Sequence, residues 1–240
     1  MRKWSKSAYW VSVYTMVIGC IIAVAFYGTH AITVFQKGDE MPMRTCVIID
    51  AGHGGVDGGT TSCTGVLESH INLEIALRLN DLMHLLGVNT KMIRTTDCSV
   101  YTQGNTIAAK KVSDLKQRVS IVNETQNALL VSIHQNYFSQ SQYSGAQVFY
   151  ADNENSKLLA GQVQKQIVNT INNGSKRTAK KASGIYLMEK VNATGILVEC
   201  GFLSNPQEEA LLRDADYQQK LCIVLSCAVL DFIESPNTVS

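Results

Sequence analysis

The chain has no C-x-x-C pair, and its seven cysteines are odd in number. A disulfide framework is therefore not indicated. Cys46 and Cys200 lie in or beside buried-looking strands, and Cys222 and Cys227 lie in the last helical stretch. Small buried hydrophobes explain these positions. The sequence also lacks a charge excess. A net charge of +1 creates no strong field, so neither nucleic acid nor an acidic partner is expected. Lys176, Arg177, Lys180 and Lys181 form a local basic cluster. It reads either as a solvated loop or as a contact for an anionic polymer. No internal repeat and no low-complexity tract is present.

Charge is missing altogether from Ser7 to Gln36, while Arg2, Lys3 and Lys6 precede that stretch. A run of this length is long enough to span a bilayer. The positive flank would stay cytoplasmic and place the remainder outside. Two processing alternatives compete with a retained anchor. Ala23-Val24-Ala25 resembles a signal cleavage site. Val17-Ile18-Gly19-Cys20 loosely resembles a lipoprotein signal, but the apolar run continues past the cysteine through Phe26. The favoured reading is an uncleaved anchor over residues 1–36 and a linker over 37–44. One α/β domain follows over 45–235.

Within that domain apolar strands alternate with amphipathic helices. Strands are expected over about 45–50, 90–94, 128–133, 147–150 and 195–198. A helix from Glu68 to Leu86 places Ile71, Ile75, Leu79, Leu82 and Leu86 on one stripe. Gly87 sits where a left-handed cap belongs. Residues 97–113 read as a polar surface loop, followed by a short helix marked by Leu115, Val119 and Val122. A helix is expected over 155–171, and Ile185-Tyr186-Leu187 reads as short and extended. Asn205-Pro206-Gln207-Glu208 reads as a helix start. The last helix turns Tyr217, Leu221, Val224, Leu225, Ala228 and Phe232 inward. The alternation predicts a single, mostly parallel twisted sheet with helices on both faces, preceded by the N-terminal hydrophobic helix.

Chemistry gathers where strands stop. The first strand runs into Gly52-His53-Gly54, the third into His134, and the last into Glu199. Glu68 opens the first long helix. Ligands of open α/β sheets collect at the carboxyl ends of strands. Two imidazoles and a carboxylate suit a three-ligand Zn²⁺ site with one position left for water. The other carboxylate is then free for proton transfer. Each residue also has a plainer reading. A lone histidine in a turn is more often a hydrogen-bonding group than a ligand. Glu68 could simply favour a helix N-terminus. Glu199 is less ordinary, because a carboxylate ending a buried strand needs a partner or a raised pKa. No H-E-x-x-H motif occurs, so local spacing adds nothing. Gly52-His53-Gly54 begins like a dinucleotide fingerprint, yet the helix starts too late to cradle a phosphate.

Four ordered segments carry a resemblance. They are Ile49-Asp50-Ala51-Gly52-His53-Gly54-Gly55-Val56-Asp57-Gly58-Gly59, then Glu68, then Ser132-Ile133-His134-Gln135-Asn136, then the run from Val198 to Pro206. Together they resemble the zinc-dependent N-acetylmuramoyl-L-alanine amidases of bacterial cell walls, across about residues 45–233. The resemblance implies one Zn²⁺ per chain held by His53, Glu68 and His134, with Glu199 as the catalytic carboxylate. Asn136 would orient His134 or the substrate, unless it only forms the turn. Peptidoglycan is the implied substrate.

Within the family the chain is similar to the germination-specific amidases of spore cortex. Asp114-Leu115-Lys116-Gln117-Arg118-Val119, Tyr143-Ser144-Gly145-Ala146-Gln147 and Gly184-Ile185-Tyr186-Leu187-Met188 carry that likeness. It implies action outside the membrane, in the cortex space, as a step toward muramic lactam. Residues 135–142 leave no room for the inserted helix that blocks zinc in some relatives. Control then falls to expression, location or an accessory protein of sporulation. Three departures stand out: Cys200, Gly195, and Tyr137 in place of a small residue, where it would narrow the groove. A vegetative septal amidase, a different zinc peptidase of the wall and a non-catalytic wall-binding module are the competing readings. Retention of Glu199 argues against the last.

Overall fold

The computed structural model describes residues 45–235. The predicted hydrophobic segment over 1–36 and the linker over 37–44 lie outside them. Among the described residues no helix is long and apolar enough to cross a membrane.

Six strands form one sheet. They are β1 (Cys46–Ala51), β2 (Asn89–Met92), β3 (Ala128–Asn136), β4 (Gln147–Tyr150), β5 (Lys180–Lys181) and β6 (Thr194–Phe202). Their order across the sheet is β2-β1-β3-β6-β4-β5. The first four in that order are mutually parallel. β4 runs antiparallel to β6 and parallel to β5. The sheet is therefore mixed at one edge and parallel through its centre. Helices α1 (Glu68–Leu85), α3 (Glu154–Thr170) and α6 (Ala215–Glu234) pack on one face. Helices α2 (Ile107–Asn123) and α4 (Tyr186–Lys190) pack on the other, and α5 (Pro206–Leu212) leads into α6.

The central strands are apolar on both sides because both faces are covered. Val47, Ile49, Val131, Ile133, Ile196 and Val198 meet Ile71, Ile75 and Leu79 of α1 and the inner rows of α3 and α6. Ile48, Leu130 and Leu197 point the opposite way, toward Val122, Leu187 and Met188. Each such side chain, removed completely from water, contributes about 1.5–3 kcal/mol.

Several expectations need correction. α2 begins at Ile107, inside the stretch read as a loop, with Thr106 accepting from the Ala109 N–H at 3.1 Å as its cap. Its buried row is Ser113, Asp114, Arg118 and Val122, so there was no apolar stripe to read at its start. Residues 186–190 are a helix, although 185–187 looked extended. Leu86 is half-exposed, and Met83 takes the inward position at the end of α1. Cys227 is exposed, whereas Cys46, Cys200 and Cys222 are buried. Two local signals hold: Gly87 is left-handed at φ 77°, and Asn205 caps α5 by accepting from Gln207 and Glu208. In the basic cluster, Arg177 donates to the Ser144 carbonyl at 2.9 Å and lies over the Phe202 ring, so it is committed to the fold.

Candidate metal centre

β1 delivers the first ligand through a turn that needs an unusual backbone. His53 has φ 61°, a left-handed conformation uncommon outside glycine, and Gly54 and Gly55 follow at 132° and 58°. The turn closes with the Gly54 N–H donating to Asp57 O at 2.7 Å and the Asp57 N–H returning to Gly54 O at 3.2 Å. That closure brings Asp57 Oδ2 to 2.9 Å from His53 Nδ1. The ring is thereby fixed with Nε2 directed at Glu68 Oε1, 3.4 Å away. A carboxylate behind a ligating imidazole sets its tautomer and orientation.

Glu68 is the first residue of α1 and is buried. Its Oε2 accepts from Thr60 N at 3.0 Å, and its Oε1 accepts from Gln135 N at 3.1 Å and from Asn72 Nδ2 at 3.2 Å. His134 Nδ1 stands 3.0 Å from the same Oε1. The two imidazole rings meet edge to face at 4.9 Å between centroids. One ligand atom from each of His53, Glu68 and His134 lies within 4.8 Å of the others. The three predicted ligands are thus brought together.

His134 and Glu199 do not end their strands, since β3 and β6 each continue beyond them. They are instead direct register partners across β3 and β6. That pairing places Glu199 on the same face as His134, beside the three-residue group but outside it. Its Oε2 is buried without a hydrogen-bond partner. Burial pushes the carboxyl up to about 7, with the His134 charge opposing and the Glu68 charge reinforcing that rise. Around the ligands, burial would lower His53, but its bonds to Asp57 and Glu68 carry it up to about 9. Burial acts to raise Glu68, yet its hydrogen bonds to His134 and His53 hold it far below the ordinary carboxylate range.

Asn136 does not orient His134. Its side chain makes no hydrogen bond to the ring, and its backbone carbonyl accepts from Leu203 N at 2.8 Å.

Sequence reasoning passed over the residues that hold the turn. Arg94 donates to the carbonyls of Ala51 and Gly52, at 2.8 Å and 3.1 Å. Arg118 donates to the carbonyl of His53 at 2.7 Å and pairs with Asp50 and Asp114. Lys111 reaches Asp57 Oδ2 at 3.2 Å. Asp57 itself was legible only as a carboxylate four residues after a glycine-flanked histidine. Gly52 is equally specific: a Cβ there would run into the His134 ring. A cavity of about 190 Å³ opens beside the ligands, between Lys111 and Leu115 of α2 and the 184–187 segment.

The donor set fits a metal. Two imidazole nitrogens and a carboxylate oxygen converge, and His53 and Glu68 are each held by further polar groups. Nitrogen and oxygen ligands in this number suit a three-ligand zinc site with an open position.

Residues 47–230 match the protein family described as N-acetylmuramoyl-L-alanine amidase. The germination-specific N-acetylmuramoyl-L-alanine amidase of Bacillus subtilis is 36% identical over 200 residues, covering 80% of this chain and 82% of the relative. Among solved structures, the CwlD amidase of Clostridioides difficile, solved in complex with the GerS lipoprotein, has a TM-score of 0.75 at 36% identity. That likeness covers 79% of this chain and 98% of the other. An N-acetylmuramoyl-L-alanine amidase from Clostridium difficile 630 has a TM-score of 0.70 at 30% identity, covering 81% and 99%.

Proposed function

The chain belongs to the N-acetylmuramoyl-L-alanine amidase family, and from that premise we propose that it hydrolyses, with zinc, the amide between the lactyl group of muramic acid and L-alanine. The observation that carries the mechanism is Glu199: a half-buried carboxyl whose Oε2 is enclosed without a hydrogen-bond partner, in register with His134 and beside a His-Glu-His group. His53, Glu68 and His134 would hold the ion. When bound, zinc supplies Lewis-acid polarisation of the scissile carbonyl and acidifies a water.

The chain's own groups do the rest. Glu199 takes a proton from the attacking water as the carbon–oxygen bond forms. It then gives that proton to the alanine nitrogen as the carbon–nitrogen bond breaks. The products are a lactyl carboxylate and a free α-amine, and Glu199 is regenerated. A carboxyl poised near 7 can serve in both directions at neutral pH. Asp57 holds the His53 ring through Nδ1, and Asn72, Gln135 and Thr60 hold Glu68. The cavity between α2 and the 184–187 segment gives the substrate room beside the ligands.

Spore cortex is the proposed setting, acting outside the membrane on peptidoglycan, with residues 1–36 as anchor or signal. The likeness to a germination-specific relative supports it. An accessory protein is part of the proposal, supported by a similar amidase having been solved with a lipoprotein. Removing the stem peptide leaves a bare muramic acid, from which a lactam can be made. The test is Glu199→Gln in the full chain in detergent, with peptidoglycan digestion and metal analysis side by side. Turnover should fall by about 10² to 10⁴, the usual worth of a general base, while zinc stays stoichiometric. Near-wild-type turnover would reject Glu199 as the base, and loss of zinc would make it a ligand. Release of a terminal amino acid instead of the whole stem peptide would favour a peptidase.

A further inference from the structure

Among the described residues the exposed tyrosine and phenylalanine side chains are Tyr137, Phe138 and Tyr143, at 50%, 46% and 42% exposure, and all three lie on one loop. That loop leaves β3 directly after His134-Gln135-Asn136. Tyr137 follows the end of β3, three residues past His134, and Phe202 ends β6 three residues past Glu199, so each lies within about 10 Å of chain from a site residue. The Phe138 and Tyr143 rings meet edge to face at 4.8 Å, and Tyr143 stacks on toward Phe202 at 6.2 Å. The guanidinium of Arg177 lies over the Phe202 ring at 5.4 Å. The result is a row of rings beginning where the two site-bearing strands end.

The row is held rigidly at both ends. Phe138 N donates to Ser204 Oγ at 3.1 Å, and Asn205 Nδ2 donates to the Tyr143 carbonyl at 3.1 Å. Gly145 N donates to Glu208 Oε1 at 2.7 Å. Holding half-exposed rings in a fixed loop lowers the ordering cost of binding. Their size selects the occupant. Three half-exposed rings offer roughly 300 Å², well short of the ~800 Å² per partner of a stable protein interface. An area of that size matches a few sugar rings. A pyranose has an apolar C–H face to lie on an aromatic ring and hydroxyls to meet a tyrosine O–H. In the substrate the sugar is joined to the scissile carbonyl by only a few bonds, so the glycan must pass close to the metal ligands.

We propose that Tyr137, Phe138 and Tyr143 form a shelf on which the glycan strand of the substrate stacks, so that the enzyme prefers muramic acid within a longer glycan to an isolated unit. The proposal rests on the amidase reading and adds the sugar side of its site.

The test uses the full chain in detergent. KM is measured on a single disaccharide carrying a stem peptide and on a glycan of several disaccharides carrying the same peptide. The wild type should show a KM about tenfold lower on the longer glycan, a difference of about 1.4 kcal/mol. Tyr137→Ala and Tyr143→Ala should lose that ratio, and Tyr137→Phe should restore it. Tyr143 packs toward Phe202, so Tyr137→Ala decides if Tyr143→Ala does not fold. Alanine variants that keep the ratio, or a wild type without one, overturn the shelf. Calorimetric titration of peptide-free glycan into Glu199→Gln protein needs no turnover. Binding there that Tyr137→Ala abolishes supports the shelf even if the amidase reading fails, and absence of binding overturns it.

Discussion

Replacing Gly52 by alanine should cripple metal binding while leaving the fold in place. No left-handed backbone is involved at this position, so alanine is conformationally acceptable and the effect is steric. A Cβ would stand 2.7 Å from His134 Cδ2, with Nε2 and Cε1 nearer still. Ordinary contact begins at 3.4 Å, so the ring must retreat by about 0.7 Å at Cδ2 and by more at Nε2. Ligand distances tolerate only about 0.2 Å. His134 Nδ1, now 3.0 Å from Glu68 Oε1, cannot keep its place relative to the other ligands through such a shift. Overpacking of this kind costs about 1–3 kcal/mol in stability, within what a folded domain of this size withstands. Zinc affinity should fall by at least 10- to 100-fold, the usual effect of disturbing a ligand's support. Chelator competition measures it, with denaturant unfolding of the metal-free protein alongside. Gly195→Ala is the control: its Cβ would meet only ordinary contacts at 3.5 Å and beyond, also inside a buried strand. A Gly52→Ala protein that holds zinc and cleaves peptidoglycan like the wild type would refute the reasoning.

Asp57→Asn should lower zinc affinity by about 10- to 100-fold by loosening His53, read in the same competition assay; an unchanged affinity would remove Asp57 from the site. Zinc affinity of the wild type should climb about tenfold per pH unit from 7 toward 9, because the bonds to Asp57 and Glu68 carry His53 up to about 9 and the metal must displace its proton; a flat profile over that range shows His53 already neutral at 7 and refutes the upward shift. Arg118→Met should cost about 3–5 kcal/mol, since it leaves Asp50 charged in the interior with no cationic partner and only the Ser132 hydroxyl bonded to it. Burial acts to raise Asp50, but Arg118 leads the interactions that hold it below the ordinary carboxylate range. Its stabilisation is therefore complete above about pH 4 and is lost as pH falls through the folded value. The variant should behave oppositely, gaining stability as pH drops from 7 and the orphaned carboxyl takes a proton. Denaturant midpoints across pH measure both.

The site was more legible in the sequence than the scaffold beneath it. His53, His134 and Glu199 were visible because each follows an apolar run whose parallel neighbours are fixed by the βαβ pattern. Their exact pairing was not, because register depends on β3 and β6 being side by side, which no local signal states. α2 was misread for a physical reason. Its inward row opens with Ser113, Asp114 and Arg118 before reaching Val122, and hydrophobic periodicity cannot find the start of a helix whose buried face is polar there. The 185–187 stretch failed for want of length, since five residues carry too little pattern to separate helix from strand. Asn136 was read as a site residue from proximity in sequence; at the end of β3 its carbonyl accepts from Leu203 N, and its side chain makes no hydrogen bond to the His134 ring.

That polar face of α2 follows from the turn it supports. Once β1 ends at Ala51, the chain turns through a left-handed histidine and leaves the ladder that would otherwise satisfy its carbonyls. Buried carbonyls without partners are costly. Ala51 O accepts from both Arg94 Nε and Arg118 Nη1, Gly52 O from Arg94 and Asn72, and His53 O from Arg118. No apolar side chain could replace these donors. A guanidinium can, because several N–H groups in one plane reach several carbonyls at once. The charge so introduced then requires Asp50 and Asp114, and Asp50 requires Ser132, which donates to it at 2.6 Å. Such a network adds little net stability compared with a well-packed apolar core. Its return is positional. Arg118 fixes the main chain of His53 from α2, and Asp57 fixes its ring, itself held by Lys111 from the same helix. Backbone and side chain of one ligand are thereby tied to a single rigid element, which is what a site tolerant of only a few tenths of an ångström demands.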